Sequence, residues 1–472
     1  MGRATIIDMT DTPTSRHVVA VVGAATAGSE IAHILAQRDA LVVVIEQNPR
    51  PYGKIEDGLP RWHVKQRKDE YEEINKPLDH PNIQYVPSTR MGRDIDFEEL
   101  RQRWGLSAII LTHGAWRDRP FPVEGADDFI DRGLTYQNPL IHWFNHYREK
   151  AYSGPHYALP SGATVVGGGL ASIDVVKVLM IETTLAALTK RGIEEDMLRL
   201  EREGIEPVLK SRSLAWPELE IAPCKLFYRR RVLDMPLSDI APDANPKRAE
   251  AMRQARAKIL DKARRKYLFE FEERRIPTGL IVEGGRLAGV QMSHTEVTDG
   301  KVTTLANTQE AVRGEMTVSS IGSIPEPIPG IPQRGEVYQY ADQKAGLLME
   351  GRTAVYAAGN VLTGKGNIKD SLDSGTEVGI RVAEQYLGLA DDGTRASLAE
   401  GARNEAREEG EKMAAAIVTR EPLNSATVAD ILRRVRERQR AVIFSPSCRA
   451  SFRASISGSL DNVRGLFCDL RW

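Results

Sequence analysis

The sequence predicts an α/β fold of two doubly wound sheets, with a mainly helical extension at the C-terminal end. Three observations carry this expectation. Two glycine-rich turns, beginning 144 residues apart at Gly23 and Gly167, each follow a short Val-rich run and open a helical pattern. Further apolar runs recur beyond each turn without polar alternation, the pattern of parallel strands buried on both faces. The length of 472 residues allows two to three domains, and 41% apolar with 27% charged residues is an ordinary globular balance.

The first unit starts with HVVAVV (17–22), a buried strand, and passes directly into Gly23-Ala-Ala25-Thr-Ala-Gly28. A helical pattern, SEIAHILAQRD, leads to the strand LVVVI (41–45), which ends at Glu46. Gly23 permits the tight turn and Gly28 lets the helix sit close on the sheet. The middle glycine, which ordinarily lets backbone approach a pyrophosphate, is replaced by Ala25. Glu46 lies 18 residues past Gly28, where a carboxylate accepts hydrogen bonds from an adenosine ribose. Strand, turn, helix, strand and acid together read as a Rossmann-like dinucleotide site, with phosphates at the helix N-terminus.

The second unit repeats the design with a different ending. ATVV (163–166) is a strand, followed by Gly167-Gly-Gly169-Leu-Ala-Ser172 and the helix IDVVKVLMIE. Ser172 stands where the third glycine is usual. Charged helical residues (182–210) intervene before the next strand, KLFY (225–228), which ends in Arg229, Arg230 and Arg231. Guanidinium groups there pair with a 2′-phosphate, which a carboxylate would repel. An acid after one turn and arginines after the other imply two nucleotides, FAD at the first and NADPH at the second.

Composition narrows the remaining classes. Lys plus Arg (64) nearly balance Asp plus Glu (65), so the basic excess of a nucleic-acid binder is missing. The three cysteines, Cys224, Cys448 and Cys468, are widely spaced. They form no redox Cys-x-x-Cys and fall short of the roughly four thiolates of an iron–sulfur cluster, so a cluster in the electron path would belong to a partner. No signal-peptide core or membrane span is apparent. The chain is expected to be cytoplasmic, with residues 1–15 as a flexible leader and no bound metal.

Five further segments, PYGKIEDGLPRWHVK (51–65), THGAWRD (112–118), LFYRRRVLDMP (226–236), SSIGSIPEPIPGI (319–331) and VYAAGNVLTGKGNI (355–368), occur in order. With the two turns, they resemble the FAD-dependent NADPH oxidoreductases typified by the glutamate synthase small subunit and, more distantly, the adrenodoxin-reductase-like enzymes. The likeness covers roughly residues 17–390. It implies an FAD domain of residues 16–118 and 353–390 around an NADPH domain of residues 119–352, with a helical extension over 391–472. It further implies that Gly53, Gly58 and Leu59 lie beside the isoalloxazine, and that Gly114 turns the chain toward the NADPH domain. Gly359 and Asn360 stand where Gly-Asp usually meets the ribityl chain. Gly366, Asn367 and Ile368 open a helix, from about Lys369 to Leu387, aimed at the flavin. His63 matches a histidine linked to proton handling in the adrenodoxin-reductase branch and is the catalytic candidate.

The function implied is hydride transfer from NADPH to FAD, then delivery of electrons to a ferredoxin-like protein or a partner subunit. Three alternatives stay open: an electron-input subunit of a larger complex, a flavin monooxygenase or oxidase acting on a small molecule, and, least favoured, a non-catalytic flavin-binding structural protein. Residues 247–275 read as a long basic helix suited to an acidic carrier. In the extension, ARNEAREEGEKMAAAI reads as a helix. Another starts at Thr427, with Val428, Ile431, Leu432 and Val435 as an apolar stripe and arginines on its other faces. This helix reads as a subunit interface, an anionic docking surface or a domain cap, with interaction the favoured role.

Overall fold

The computed structural model describes residues 16–238, 240, 244–389 and 422–443. The leader, Cys448, Cys468 and the helix expected over ARNEAREEGEKMAAAI lie outside the described residues.

Val18–Val22 (β1) runs into Thr26–Gln37 (α1) and returns as Leu41–Ile45 (β2). Lys54–Asp57 (α2) and Val64–Leu78 (α3) lead to Ile83–Val86 (β3), and Phe97–Arg103 (α4) leads to Ala108–Leu111 (β4). The chain leaves this unit through Arg117–Asp118 (β5) and forms Leu134–Tyr136 (β6) and Gln137–His146 (α5). Thr164–Gly167 (β7) precedes Leu170–Lys190 (α6); Met197–Glu203 (α7) and Ile205–Ser211 (α8) precede Lys225–Tyr228 (β8). Pro246–Tyr267 (α9) and Glu270–Glu273 (β9) follow. An antiparallel group comes next: Arg275–Glu283 (β10), Arg286–Thr298 (β11), Lys301–Thr304 (β12) and Glu310–Arg313 (β13). Then Thr317–Ser320 (β14) and Ser323–Ile324 (β15) return the chain. The hairpin Gln333–Arg334 (β16) and Val337–Tyr338 (β17) precedes Leu347–Met349 (β18) and Ala354–Ala357 (β19). Helices Asn360–Thr363 (α10), Ile368–Arg381 (α11) and Ser425–Ile443 (α12) complete the described fold.

The first sheet has the order β18-β19-β4-β1-β2-β3, parallel except for β18. The second, β6-β14-β7-β8-β9, is wholly parallel. Alternate residues of β1 enter different cores, Val18, Ala20 and Val22 on one face and Val19 and Val21 on the other. That two-sided burial explains why the strands read as unbroken apolar runs. The two crossings between the units, β5 and β15, pair with each other.

Three expectations change. β18 already belongs to the first sheet, so the return precedes residue 353. The long basic helix ends at Tyr267, with Leu268 in a left-handed cap at φ 57°. The FEFEE alternation beyond it is β9, in register with β8, where strand periodicity wins over the charged-helix composition. Finally, Val428, Ile431, Leu432 and Val435 of α12 are buried in the first unit beside Trp104, Ile328 and Ile331. The stripe is a domain cap and is not open to a second subunit.

Candidate functional site

Both glycine turns open on one cavity of about 1050 Å³ between the two parallel sheets. On its first-sheet side, Gly23 (φ +103°) makes the turn and Ala25 caps α1. No side chain caps that helix and its first turn carries no acid, so its leading N–H groups are available to an anion. Gly28 is off the wall; a Cβ there would stand 1.9 Å from the Gly23 carbonyl oxygen, so its absence lets α1 rest on the turn. A Cβ at Gly53 would stand 3.0 Å from the Ala25 methyl. The loop after β2 therefore closes over the position where alanine replaces the usual glycine.

Glu46 is buried on the same wall and organises the turn. Its two carboxylate oxygens accept from the Ala24 and Asn48 amides, each at 2.9 Å. Burial outweighs those bonds and pushes its acidity constant up to about 7. Gly58, Leu59, Gly114 and Gly359 also reach the cavity, as do Gly366 and Ile368. Asn360 lines it with a buried Oδ1 that has no protein partner. The Asn367 side chain is used locally, accepting from the Asp370 amide at 2.7 Å as the cap of α11.

On the second-sheet side, Gly167 and Gly169 line the cavity, and α6 begins without a side-chain cap. Ser172 Oγ donates to the Ser320 carbonyl at 2.9 Å, tying α6 to β14. Gly168, which the spacing left unassigned, is as constrained as Gly167: a Cβ there would stand 2.1 Å from Tyr228 Cε2, whereas one at Gly169 would meet open space. Arg229 and Arg230 reach the wall at the end of β8. Arg231 is not among the wall residues. Its guanidinium pairs with Asp234 at 2.9 and 3.1 Å, because the chain turns into a short helical turn at Val232–Asp234 that brings the acid alongside.

His63 lies next to a residue of the cavity wall, Asp174. It caps α3, is not among the wall residues, and its Nε2 lies 4.0 Å from Asp174 of α6. Neighbouring Trp62 is buried against Phe144, with the Lys177 ammonium over its ring. That packing places His63 at a contact between the units.

Sequence reasoning missed a polar cluster where the crossings meet. Lys54 Nζ donates to Asn138 Oδ1 at 3.0 Å and to Ser323 Oγ at 3.1 Å. The Asn138 amide reaches the Asp118 carboxylate at 3.3 Å, and its Nδ2 donates to the Trp116 carbonyl at 2.9 Å. Burial lowers the Lys54 ammonium to about 8 despite the opposing effect of Asp118, and raises Asp118 to about 6. Burial also lowers His113, on the same wall, to about 4, so it is neutral near pH 7. The partners of Lys54 lie 84 and 269 positions away, so local spacing carried no sign of them.

Two mainly parallel sheets with uncapped helix starts opening on one cavity define an α/β protein of two doubly wound units. Comparison with known sequences narrows that class: the chain resembles the NADPH oxidoreductases represented by adrenodoxin reductases and glutamate synthase small chains. It is 31% identical over 181 residues to the mitochondrial NADPH:adrenodoxin oxidoreductase of Drosophila melanogaster, covering 38% of this chain and 37% of that one. It is 33% identical over 200 residues to the NADPH-Fe(3+) oxidoreductase subunit beta of Geobacter sulfurreducens, covering 41% of this chain and 26% of that one. The matches thus span well under half of these relatives. No family model matches the chain. Among solved structures, Mycobacterium tuberculosis FprA in complex with NADPH shares the fold, with a TM-score of 0.61 at 17% identity over 89% of this chain and 99% of that one. No described helix is long and apolar enough to cross a membrane.

Proposed function

We propose that this chain is an FAD-dependent NADPH oxidoreductase, with FAD along the first sheet, NADPH along the second, and electrons leaving to a separate acceptor. One observation carries the reading: both glycine turns and both uncapped helix starts open on a single cavity of about 1050 Å³. Two bound dinucleotides would thereby have their reactive rings brought together, and orientation of that kind is the main requirement of hydride transfer.

The wall residues suit such a pair. The α1 amides receive pyrophosphate, Glu46 receives ribose hydroxyls, and the unpartnered Asn360 Oδ1 accepts from a hydroxyl of the ribityl chain. Gly53, Gly58 and Leu59 bring backbone to the ring system, as does the start of α11 through Gly366 and Ile368. Gly167, Gly168 and Gly169 admit the second pyrophosphate, and Arg229 with Arg230 holds a 2′-phosphate. Lys54 keeps a proton on Nζ near neutral pH and sets a positive charge on the wall. Bound FAD would supply the hydride acceptor and the store from which electrons leave.

The similarity to adrenodoxin reductases supports a ferredoxin-like carrier as acceptor; the similarity to a subunit of a metal-reducing oxidoreductase supports a partner subunit as the second candidate. The exposed Lys247, Arg248, Lys258 and Lys262 of α9 offer a basic face to an acidic carrier.

Anaerobic titration of the yellow protein with NADPH and with NADH tests the proposal. NADPH is expected to bleach the flavin at far lower concentration, and an added iron–sulfur carrier to restore the colour. Protein that stays colourless after incubation with excess FAD, or whose flavin NADPH does not bleach, would overturn it.

A further inference from the structure

Next to the nucleotide cavity but not on its wall, α2 and α5 bring together three side chains that nothing in the proposed reaction uses. His142 and His146 stand one helical turn apart on α5, which puts both imidazoles on the same face. Asp57, the last residue of α2, meets them from across the boundary between the two units. His146 Nε2 lies 3.0 Å and His142 Nε2 4.0 Å from Asp57 Oδ1, and one ligand atom from each residue falls within 4.8 Å of the others.

The geometry points to a binding site for a divalent transition metal of the zinc class, with His142 Nε2, His146 Nε2 and the Asp57 carboxylate as ligands. Zinc binds imidazole nitrogen and carboxylate oxygen at about 2.0–2.2 Å, which sets tetrahedral ligands about 3.3 Å apart. The His146–Asp57 pair is already near that spacing. The His142 side chain is 48% exposed, so its ring is free to close the remaining gap. A fourth position is left for water. Two imidazoles select against calcium and magnesium, which favour oxygen donors.

The surroundings support ligation. His146 Nδ1 is 2.8 Å from Glu149 Oε1, the carboxylate support that fixes a metal-binding imidazole with its other nitrogen directed at the ion. Asn48 Nδ2 donates to Asp57 Oδ2 at 3.2 Å, which orients the carboxylate and leaves Oδ1 toward the histidines. The consequence would be mechanical as well as chemical. The residues just before Asp57, from Gly53 to Ile55, line the nucleotide cavity, so a bound ion would pin that loop to the first long helix of the second unit.

Equilibrium dialysis of the full chain loaded with FAD against buffered Zn2+ tests this, with metal counted per chain in wild type, His142→Ala and Glu149→Ala. One more zinc per chain is expected in wild type than in His142→Ala, with FAD content equal. Glu149→Ala should weaken that zinc by about 10–100-fold. Cobalt at the same site should show no thiolate-to-metal absorption, which separates it from cysteine sites elsewhere in the chain. Equal zinc in wild type and His142→Ala would overturn the site and leave His146 as a hydrogen-bonded bridge between Asp57 and Glu149.

Discussion

Lys54 Nζ lies 3.1 Å from Ser323 Oγ, a link between the loop after the first acid and the return crossing between the units. This contact holds a cation on the cavity wall among neutral and acidic neighbours. A positive charge stabilises electron density added to a nearby flavin and so raises its potential. Lys54→Met is therefore expected to lower the midpoint potential at pH 7. Loss of one charge at an effective dielectric of about 20 is worth about 2 kcal/mol, or about 40 mV for a two-electron couple. Burial lowers the ammonium to about 8, so the difference should shrink as pH rises through that value. Equal potentials in spectroelectrochemical titrations at pH 7 would show that the Lys54 charge does not reach the flavin.

Glu46 gives a pH prediction of its own. Its two oxygens hold the Ala24 and Asn48 amides, and as a carboxylate it keeps lone pairs for ribose hydroxyls. Protonation makes one oxygen a donor and removes acceptor capacity. The acid is raised to about 7 by burial, so FAD affinity should be full above that pH and decline as pH falls through it. Glu46→Gln should weaken FAD by about 10–100-fold, the loss of a charge-assisted bond of about 1.5–3 kcal/mol. It should also flatten the pH profile. Fluorescence titration of the apoprotein with FAD between pH 5.5 and 8.5 reads both effects (about one and a half units either side of the shifted value). A variant profile that still bends near neutral pH would assign the titration to another group.

The arginine run divides unequally. Arg229 and Arg230 face the cavity, whereas Arg231 is paired with Asp234. Replacing Arg229 and Arg230 together with Ala should raise the KM for NADPH by at least about tenfold, the loss of one or two charge-assisted bonds. The KM for NADH should change little. Arg231→Ala should leave the NADPH-to-NADH ratio within about twofold, because an exposed ion pair contributes about 0–1 kcal/mol. A larger effect from Arg231 than from the other two would reverse the assignment.

The unequal run also marks how far the sequence was legible. Strands such as LVVVI, the turns at Gly23 and Gly167, and the acid at Glu46 could be read because local sequence determines them: β-branched runs, backbone freedom and a fixed step across one helix. The Arg231–Asp234 pair depends on a short helical turn after β8, and no periodicity announces it. His63 was legible only as a motif position, and its neighbour Asp174 lies 111 residues on, across the boundary between the units. Gly168 needed the Tyr228 ring to show its constraint, and Lys54 needed Asn138 and Ser323. In β9 the alternating FEFEE was visible, but the charged composition around it favoured helix until β8 supplied an edge to pair with.

The extension furnishes a last test, because its apolar stripe had more than one reading. Ile431 is fully buried and packs with Val428, Leu432 and Val435 into the first unit. Around the stripe, Arg438 pairs with Asp94 at 3.3 Å, and Gln439 Nε2 donates to the Tyr85 carbonyl at 3.0 Å. The helix thus covers the core beside the edge strand β3 through both apolar and polar contacts. Ile431→Ala removes buried methyl groups and should destabilise the protein by about 2–5 kcal/mol. In urea, the midpoint should fall while the slope stays unchanged. Arg433→Ala, on the solvent face with Asp430 and Glu437 as partners, should cost no more than about 1 kcal/mol. If α12 instead served a second subunit, Ile431→Ala would leave the urea midpoint of the monomer unchanged and shift the sedimentation profile.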